Sequence, residues 1–259
     1  TWSNSSQKYH NARTRHYMTT SNDKNRLQEK YNEVYYKLEE LFGHPQWRQH
    51  LPPIDELVST ILSQSTSDSN RDRGFYALKN RYQDWSDLLN APVEEIVDTI
   101  RPAGLANQKG PRIQEALRFI LSQRGELSID FLADLPLDEA RAWLIQIKGV
   151  GIKTASIVLL FSFARPVFPV DTHVHRISRR LGLIGPNVSA EKAHPILEQL
   201  GDSQTFYVMH LNLIQHGREV CLARNPRCQL CPLQQQCDYF QELQTAALHP
   251  AASPKQASN

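Results

Sequence analysis

The chain is 259 residues long, 40% apolar and 22% charged, which suits one or two domains with proper cores and excludes disordered and fibrous classes. No apolar run approaches the length of a membrane span. The formal net charge is only +2, so the overall charge does not announce a nucleic-acid binder, and any such function has to rest on a local patch.

Residues 1–20 carry Lys8, Arg13 and Arg15 among many Ser, Thr and Asn residues, with no acid, and a disordered tail over 1–23 is expected. Leu27, Tyr31, Val34, Tyr35, Leu38, Leu41 and Phe42 then fall on one helical stripe, with capping residues at Ser21–Asp23 and a stop at Gly43. Helical periodicity predicts further helices at about Ile54–Leu62 and Asp68–Tyr82, a short one from Pro92 to about Arg101, then Lys109–Gln123 and Asp138–Ile147. Gly149-Val150-Gly151 interrupts the pattern, which resumes over Ile152–Phe163, Thr172–Leu183, Ala190–Leu200 and Gln204–His216. No segment alternates convincingly at period two, so the expected class is all-α. Gln241–Asn259 is rich in Ala, Pro, Ser and Gln and is expected to be a second disordered tail.

Two patterns carry chemistry. All four cysteines, Cys221, Cys228, Cys231 and Cys237, lie in one stretch spaced C-x6-C-x2-C-x5-C. Four thiolates that close in sequence can converge on one centre, either zinc or an iron–sulfur cluster, and thiolate chemistry alone does not separate the two. A disulfide framework is disfavoured, because the chain has no apolar secretory segment and is too large to depend on staples.

The second pattern is Leu144-Ile145-Gln146-Ile147-Lys148-Gly149-Val150-Gly151-Ile152-Lys153-Thr154-Ala155. Two glycines allow a very tight turn between helices, with Val150 packed down and successive backbone N–H groups presented ahead of a helix N-terminus. Such a nest binds an anion such as a phosphate, although a G-x-G turn alone is also an ordinary helix connection. Asp171, in Pro169-Val170-Asp171-Thr172-His173, precedes the amphipathic run Val174, Ile177, Leu181 and reads as an N-cap. Residues 137–181 hold seven Lys/Arg and three Asp/Glu, a local +4 that exceeds the surplus of the whole chain.

Taken together, K-G-V-G-I-K-T-A, V-D-T-H and H-G-R-E-V-C-L-A-R-N-P-R-C-Q-L-C make residues 137–240 resemble endonuclease III, of the helix-hairpin-helix DNA glycosylase/AP lyase superfamily. Residues 53–123 resemble it more loosely, through I-L-S-Q-S-T-S-D and G-L-A-N-Q-K. The resemblance implies a two-lobed fold: a six-helix lobe over 53–165 that includes the hairpin, and a cluster lobe joining 24–52 to 166–240. The DNA cleft and base pocket are expected between them, with Lys153 and Asp171 facing each other.

It further implies a [4Fe–4S] cluster on Cys221, Cys228, Cys231 and Cys237, with a structural role, and Lys153 as the nucleophile with Asp171 as the essential carboxylate. Gly149, Val150 and Gly151 would bind the DNA backbone, with Arg224 and Arg227 in the cluster loop touching phosphates. Leu105 would be the wedge that fills the vacated stack, and His173 would face the DNA. Gln64 stands near the family's glutamine, but a gap-free alignment puts Ser65 at that position. Lys148 replaces the usual proline before the hairpin, and the segment between Leu105 and the hairpin is longer than in the family.

The expected function is excision of an oxidised pyrimidine from duplex DNA, followed by lyase cleavage of the abasic site. The alternatives are a glycosylase of the same fold for uracil, mismatched thymine or another modified base, and a non-catalytic DNA-binding protein on this scaffold. A monomer is expected, with double-stranded DNA carrying a damaged base or abasic site as partner and no membrane association. The cytoplasm, on a prokaryotic nucleoid, is the expected location, with organelle and nucleus left open.

Overall fold

A computed structural model describes residues 20–248. The expected first tail lies mostly outside the described residues, as does the end of the second. Among the described residues the fold is all helix, with no strand. The chain divides into two compact units, one of residues 46–169 and one made of the residues up to Pro45 and from Val170 onward.

The continuous unit contains α2 (Pro53–Leu62), α3 (Asp68–Arg81), α4 (Trp85–Asn90), α5 (Val93–Thr99), α6 (Ala106–Arg124), α7 (Leu137–Ile145) and α8 (Ile152–Phe163). Helix α2 is buried on all sides from Ile54 to Leu62, which makes it the core element. It packs against α3, α6 and α8, while α7 packs on α8. Its buried Asp55 is partnered: the carboxylate accepts the Trp85 indole N–H at 2.6 Å and pairs with the partly exposed Lys79 at 3.2 Å. The neighbouring Glu56 is also buried, and its carboxylate accepts from Thr60 Oγ1 at 3.3 Å. Burial pushes the Glu56 carboxyl above its ordinary range, partly offset by the Thr60 bond and by Arg71.

The expected six helices of this unit are seven. The additional one, α4, has only six residues and is too short to show a period. It is set by a capping box, in which the Asp84 carboxylate accepts from Ser86 N at 2.8 Å and Asp87 reaches back to Asp84 N at 3.3 Å. The unit also begins at Gln46 rather than at 53, because the Trp47 indole donates to the Leu160 carbonyl at 2.8 Å and His50 sits edge-on against Phe161. It ends at Pro169 rather than at 165, with Val167 and Phe168 fully buried.

The discontinuous unit contains α1 (Ser21–Phe42), α9 (Thr172–Leu181), α10 (Ala190–Leu200), α11 (Phe206–Glu219) and α12 (Asp238–Leu248). Helix α1 begins inside the expected tail, because Thr20 Oγ1 accepts from Asp23 N at 3.1 Å and caps it. The stripe Leu27, Tyr31, Val34, Tyr35, Leu38 is buried, and α1 packs on α11 and α10. At its other end the Asn212 amide donates to the carbonyls of Gly43 at 3.0 Å and Leu38 at 3.4 Å.

Helix α12 corrects the other expected tail over residues 241–248. Residues 241–247 are all exposed, so no buried stripe marks this part of the helix. Its first turn holds it, with Phe240 buried and Asp238 paired. Lys30 Nζ lies 2.6 Å from Asp238 and also donates to the Leu181 carbonyl at 2.9 Å, which joins α1, α9 and α12.

Candidate functional site: a hairpin helix, a capped helix and a cysteine loop

The hairpin joins α7 to α8. Val150 N donates to the Ile147 carbonyl at 2.9 Å, closing the turn, and Val150 is buried as expected. Gly149 takes φ +86°, in the left-handed region, and an added Cβ there would stand 3.2 Å from the Arg112 side chain. Gly151 is the N-cap of α8, offers no side chain, and has open space where a Cβ would be. The first-turn N–H groups of α8 therefore lack a side-chain cap and are approachable by an anion.

The hairpin is braced from α6. Gln64 Nε2 donates to the Gly149 carbonyl at 3.3 Å, and its Oε1 accepts from Arg112 Nη1 at 3.4 Å. Gln64 is thus tied to the turn, with Ser65 beside it at φ +53°. Lys148 is exposed and pairs with Glu115 at 3.2 Å. Lys153, one turn face into α8, is half-buried, and its ammonium has no hydrogen-bond or ion-pair partner within its unit. Leu105 lies at the N-terminus of α6, half exposed, with φ +51°.

In the other unit Asp171 is the N-cap of α9: its Oδ1 accepts from Val174 N at 2.7 Å. Two turns along the same helix, arginines grip the cysteine loop. Arg176 donates to the carbonyls of Cys221 at 2.8 Å and Gly217 at 3.0 Å. Arg180 donates to Cys221 Sγ at 3.1 Å and to the Leu222 carbonyl at 2.7 Å. His173 is turned into this contact, its Nδ1 3.2 Å from Arg176 Nη2, and burial pulls its pKa down. Gly217 permits the approach, since a Cβ there would lie 2.5 Å from His173 Nδ1. The half-buried histidine thus packs on α11 within its unit.

All four cysteines line one pocket with Arg180 and Tyr239. Cys237 Sγ reaches the Arg180 carbonyl at 3.4 Å, and Cys231 Sγ lies 3.7 Å from His216 Nε2. Burial pushes the Cys231 thiol up to about 11 and raises Cys228 and Cys237 as well. Four thiolates are acceptable there only around a cationic centre. No three Cys, His, Asp or Glu side chains among the described residues come close enough to share a single ion. Four cysteine thiols around one pocket, with Arg180 donating to one sulfur, fit an iron–sulfur cluster and would equally fit a tetrahedral zinc. Arg224 and Arg227 lie exposed between the first two cysteines.

Comparison with known proteins agrees with this geometry. Residues 58–202 match the HhH-GPD superfamily of base excision DNA repair proteins. The chain belongs to this superfamily. Residues 221–237, the span of the four cysteines, match the iron–sulfur binding domain of endonuclease III. The chain is 33% identical to endonuclease III of Thermotoga maritima over 196 residues, covering 76% of this chain and 87% of that protein. It is similar in structure to an endonuclease III in a non-covalent DNA complex, with a TM-score of 0.73 at 27% identity, covering 84% of this chain and 98% of that one. A trapped endonuclease III–DNA covalent intermediate superposes with a TM-score of 0.72 at the same identity and coverage.

Within this superfamily member, the pieces that sequence reasoning did not find are the braces. Arg112, Arg176 and Arg180 carry no motif of their own. Only the i, i+4 spacing of the two arginines on α9 is visible in the sequence, and their partners are backbone carbonyls that no pattern marks.

Proposed function

We propose that the protein is a bifunctional DNA glycosylase/AP lyase that removes oxidised pyrimidines from duplex DNA and cleaves the resulting abasic site. The observation that carries this reading is Lys153: a half-buried amine without a partner in its unit, two residues past an uncapped glycine turn. The turn binds a phosphate through its N–H groups, which brings the adjacent sugar to the start of α8. The target nucleotide leaves the stack to be reached.

The neutral Lys153 amine attacks C1′ and the glycosidic bond breaks, its electron pair leaving with the base. The Asp171 carboxylate stabilises the positive charge that builds on the sugar and takes a proton from the attacking nitrogen. Ring opening gives a Schiff base. Removal of a C2′ proton then expels the 3′ phosphate by β-elimination, and water releases the lysine. Cys221, Cys228, Cys231 and Cys237 hold the [4Fe–4S] cluster, which supplies no chemistry to these steps and fixes the loop displaying Arg224 and Arg227.

Duplexes carrying single defined lesions test the reading. Oxidised pyrimidines are expected to be released and the strand cut 3′ to the lesion, and Lys153→Gln is expected to abolish both. Preference for uracil or mismatched thymine over every oxidised base would replace the substrate class, and tight binding with no turnover on any lesion would replace the enzyme with a binding protein.

A further inference from the structure

Lys109 is fully buried at 1% exposure, yet no step above uses it. Lysines are almost never buried to this degree unless paired, and no carboxylate pairs with this one in its unit. Its ammonium donates instead to two backbone carbonyls, Leu62 at 2.7 Å and Ala103 at 2.8 Å. Burial pulls its pKa below the ordinary lysine range, so the fold carries a penalty that a methionine of similar volume would avoid.

The two carbonyls mark where the penalty is offset. Leu62 ends α2 and leads into Ser63, Gln64 and Ser65. Ala103 ends a short 3₁₀ turn and leads into Gly104 and Leu105. Ser65 and Leu105 both sit in the left-handed region, at φ +53° and +51°, which is uncommon for residues other than glycine. Such conformations persist only when their surroundings over-determine them, and they concentrate at functional sites. Leu105 is moreover an exposed apolar side chain, 49% accessible, at the tip of its loop. One buried ammonium therefore holds the base of two strained tips, one polar and one apolar.

We propose that Lys109 is a positioning residue for base extrusion, fixing the spacing between the Gln64–Ser65 tip and the Leu105 tip so that both enter the duplex together. The inference rests on the function proposed above and deepens it. Leu105 fills the stack vacated by the extruded base, as apolar wedges do. The polar tip meets the bases left behind, and a wedge held rigid loses less conformational freedom on insertion.

The test uses a duplex with an uncleavable tetrahydrofuran abasic analogue and an adjacent 2-aminopurine. At saturating wild-type protein the fluorescence is expected to rise as the wedge unstacks the probe. Lys109→Met, checked for fold by circular dichroism and iron content, is expected to give at most a third of that rise. Its borohydride trapping on single-stranded abasic DNA, which needs no wedge, stays within twofold of wild type. Combining it with Leu105→Ala adds no further loss of fluorescence. A full rise from folded Lys109→Met, or equal losses on single and double strands, overturns the proposal.

Hydrogen exchange on the wild-type protein tests it without any variant. Residues 63–66 and 103–106 are expected to open together, and protection differing by tenfold between them would contradict a shared anchor. Failure of the catalytic reading shows separately, as no borohydride adduct from wild type, because the fluorescence step requires no chemistry.

Discussion

The hairpin that carries Lys153 and the loop that carries the cysteines are both short irregular segments between helices, held by opposite means. The hairpin is made of what is missing: two glycines, an uncapped helix start, and open space where a Cβ would be at Gly151. Side chains brace it, through Gln64 and Arg112. The cysteine loop is made of what is added, four thiols around one pocket and two arginines on its carbonyls. A segment that must let a phosphate approach has to stay bare. A segment that must only hold its shape can be filled. The superfamily member thus separates contact from support, and substitutions can break each independently.

The largest effect is expected on the filled side. Cys231→Ser removes one ligand and leaves the others around an unstable cluster, so visible absorbance and iron are lost. The thermal midpoint is expected to fall by about 6–12 °C, from a loss of roughly 3 kcal/mol. On the bare side, two neighbouring glycines are expected to part company. Gly149→Ala forces an alanine to φ +86° against Arg112 and is expected to cost about 1–2 kcal/mol in a denaturant melt. Gly151→Ala has ordinary backbone angles and free space, so stability stays within about 0.5 kcal/mol. Its methyl group instead obstructs the incoming phosphate, and duplex affinity is expected to drop about tenfold, read by anisotropy at fixed salt.

Arg180→Met sharpens the contrast again. It deletes the donor at Cys221 Sγ and at two loop carbonyls, with an expected loss of about 1.5–3 kcal/mol. Removing a hydrogen bond to a ligand sulfur also moves the cluster's reduction potential to more negative values, measurable by protein-film voltammetry. An unchanged potential would show that the arginine acts on the carbonyls alone.

The smallest effect concerns Glu56. Burial raises its folded pKa, so the stability it contributes is present in full below the unfolded carboxylate pKa and is lost as pH rises through the folded value. Glu56→Gln is therefore expected to be more stable than wild type at neutral pH, with the advantage vanishing as pH falls toward the ordinary carboxylate range. Urea melts across pH check this.

These contrasts also explain what the sequence made legible. Helix α1 could be read from its stripe, because Leu27, Tyr31, Val34 and Leu38 are buried by one partner face. Helix α4 could not, having one and a half turns and depending on the Asp84 capping box. Helix α12 was hidden because its outer face is exposed and its anchor, Lys30, lies 208 residues away in sequence. In the site, the cysteine spacing and the G-V-G turn were legible because each motif is local. The brace from the Gln64 amide to the Gly149 carbonyl was not legible, because the two residues lie 85 apart in sequence. The packing of the His173 ring against Gly217 of α11 was hidden in the same way. Roles set by long-range carbonyl partners leave no local trace.

The most direct measurement of the central claim is peptide mapping of the reduced covalent adduct. Wild-type protein incubated with an abasic duplex and borohydride is expected to yield one cross-linked tryptic peptide, with the sugar remnant on Nζ of Lys153 and the adduct absent from Lys153→Gln. An adduct on any other lysine, or one formed undiminished by Lys153→Gln, would contradict the account.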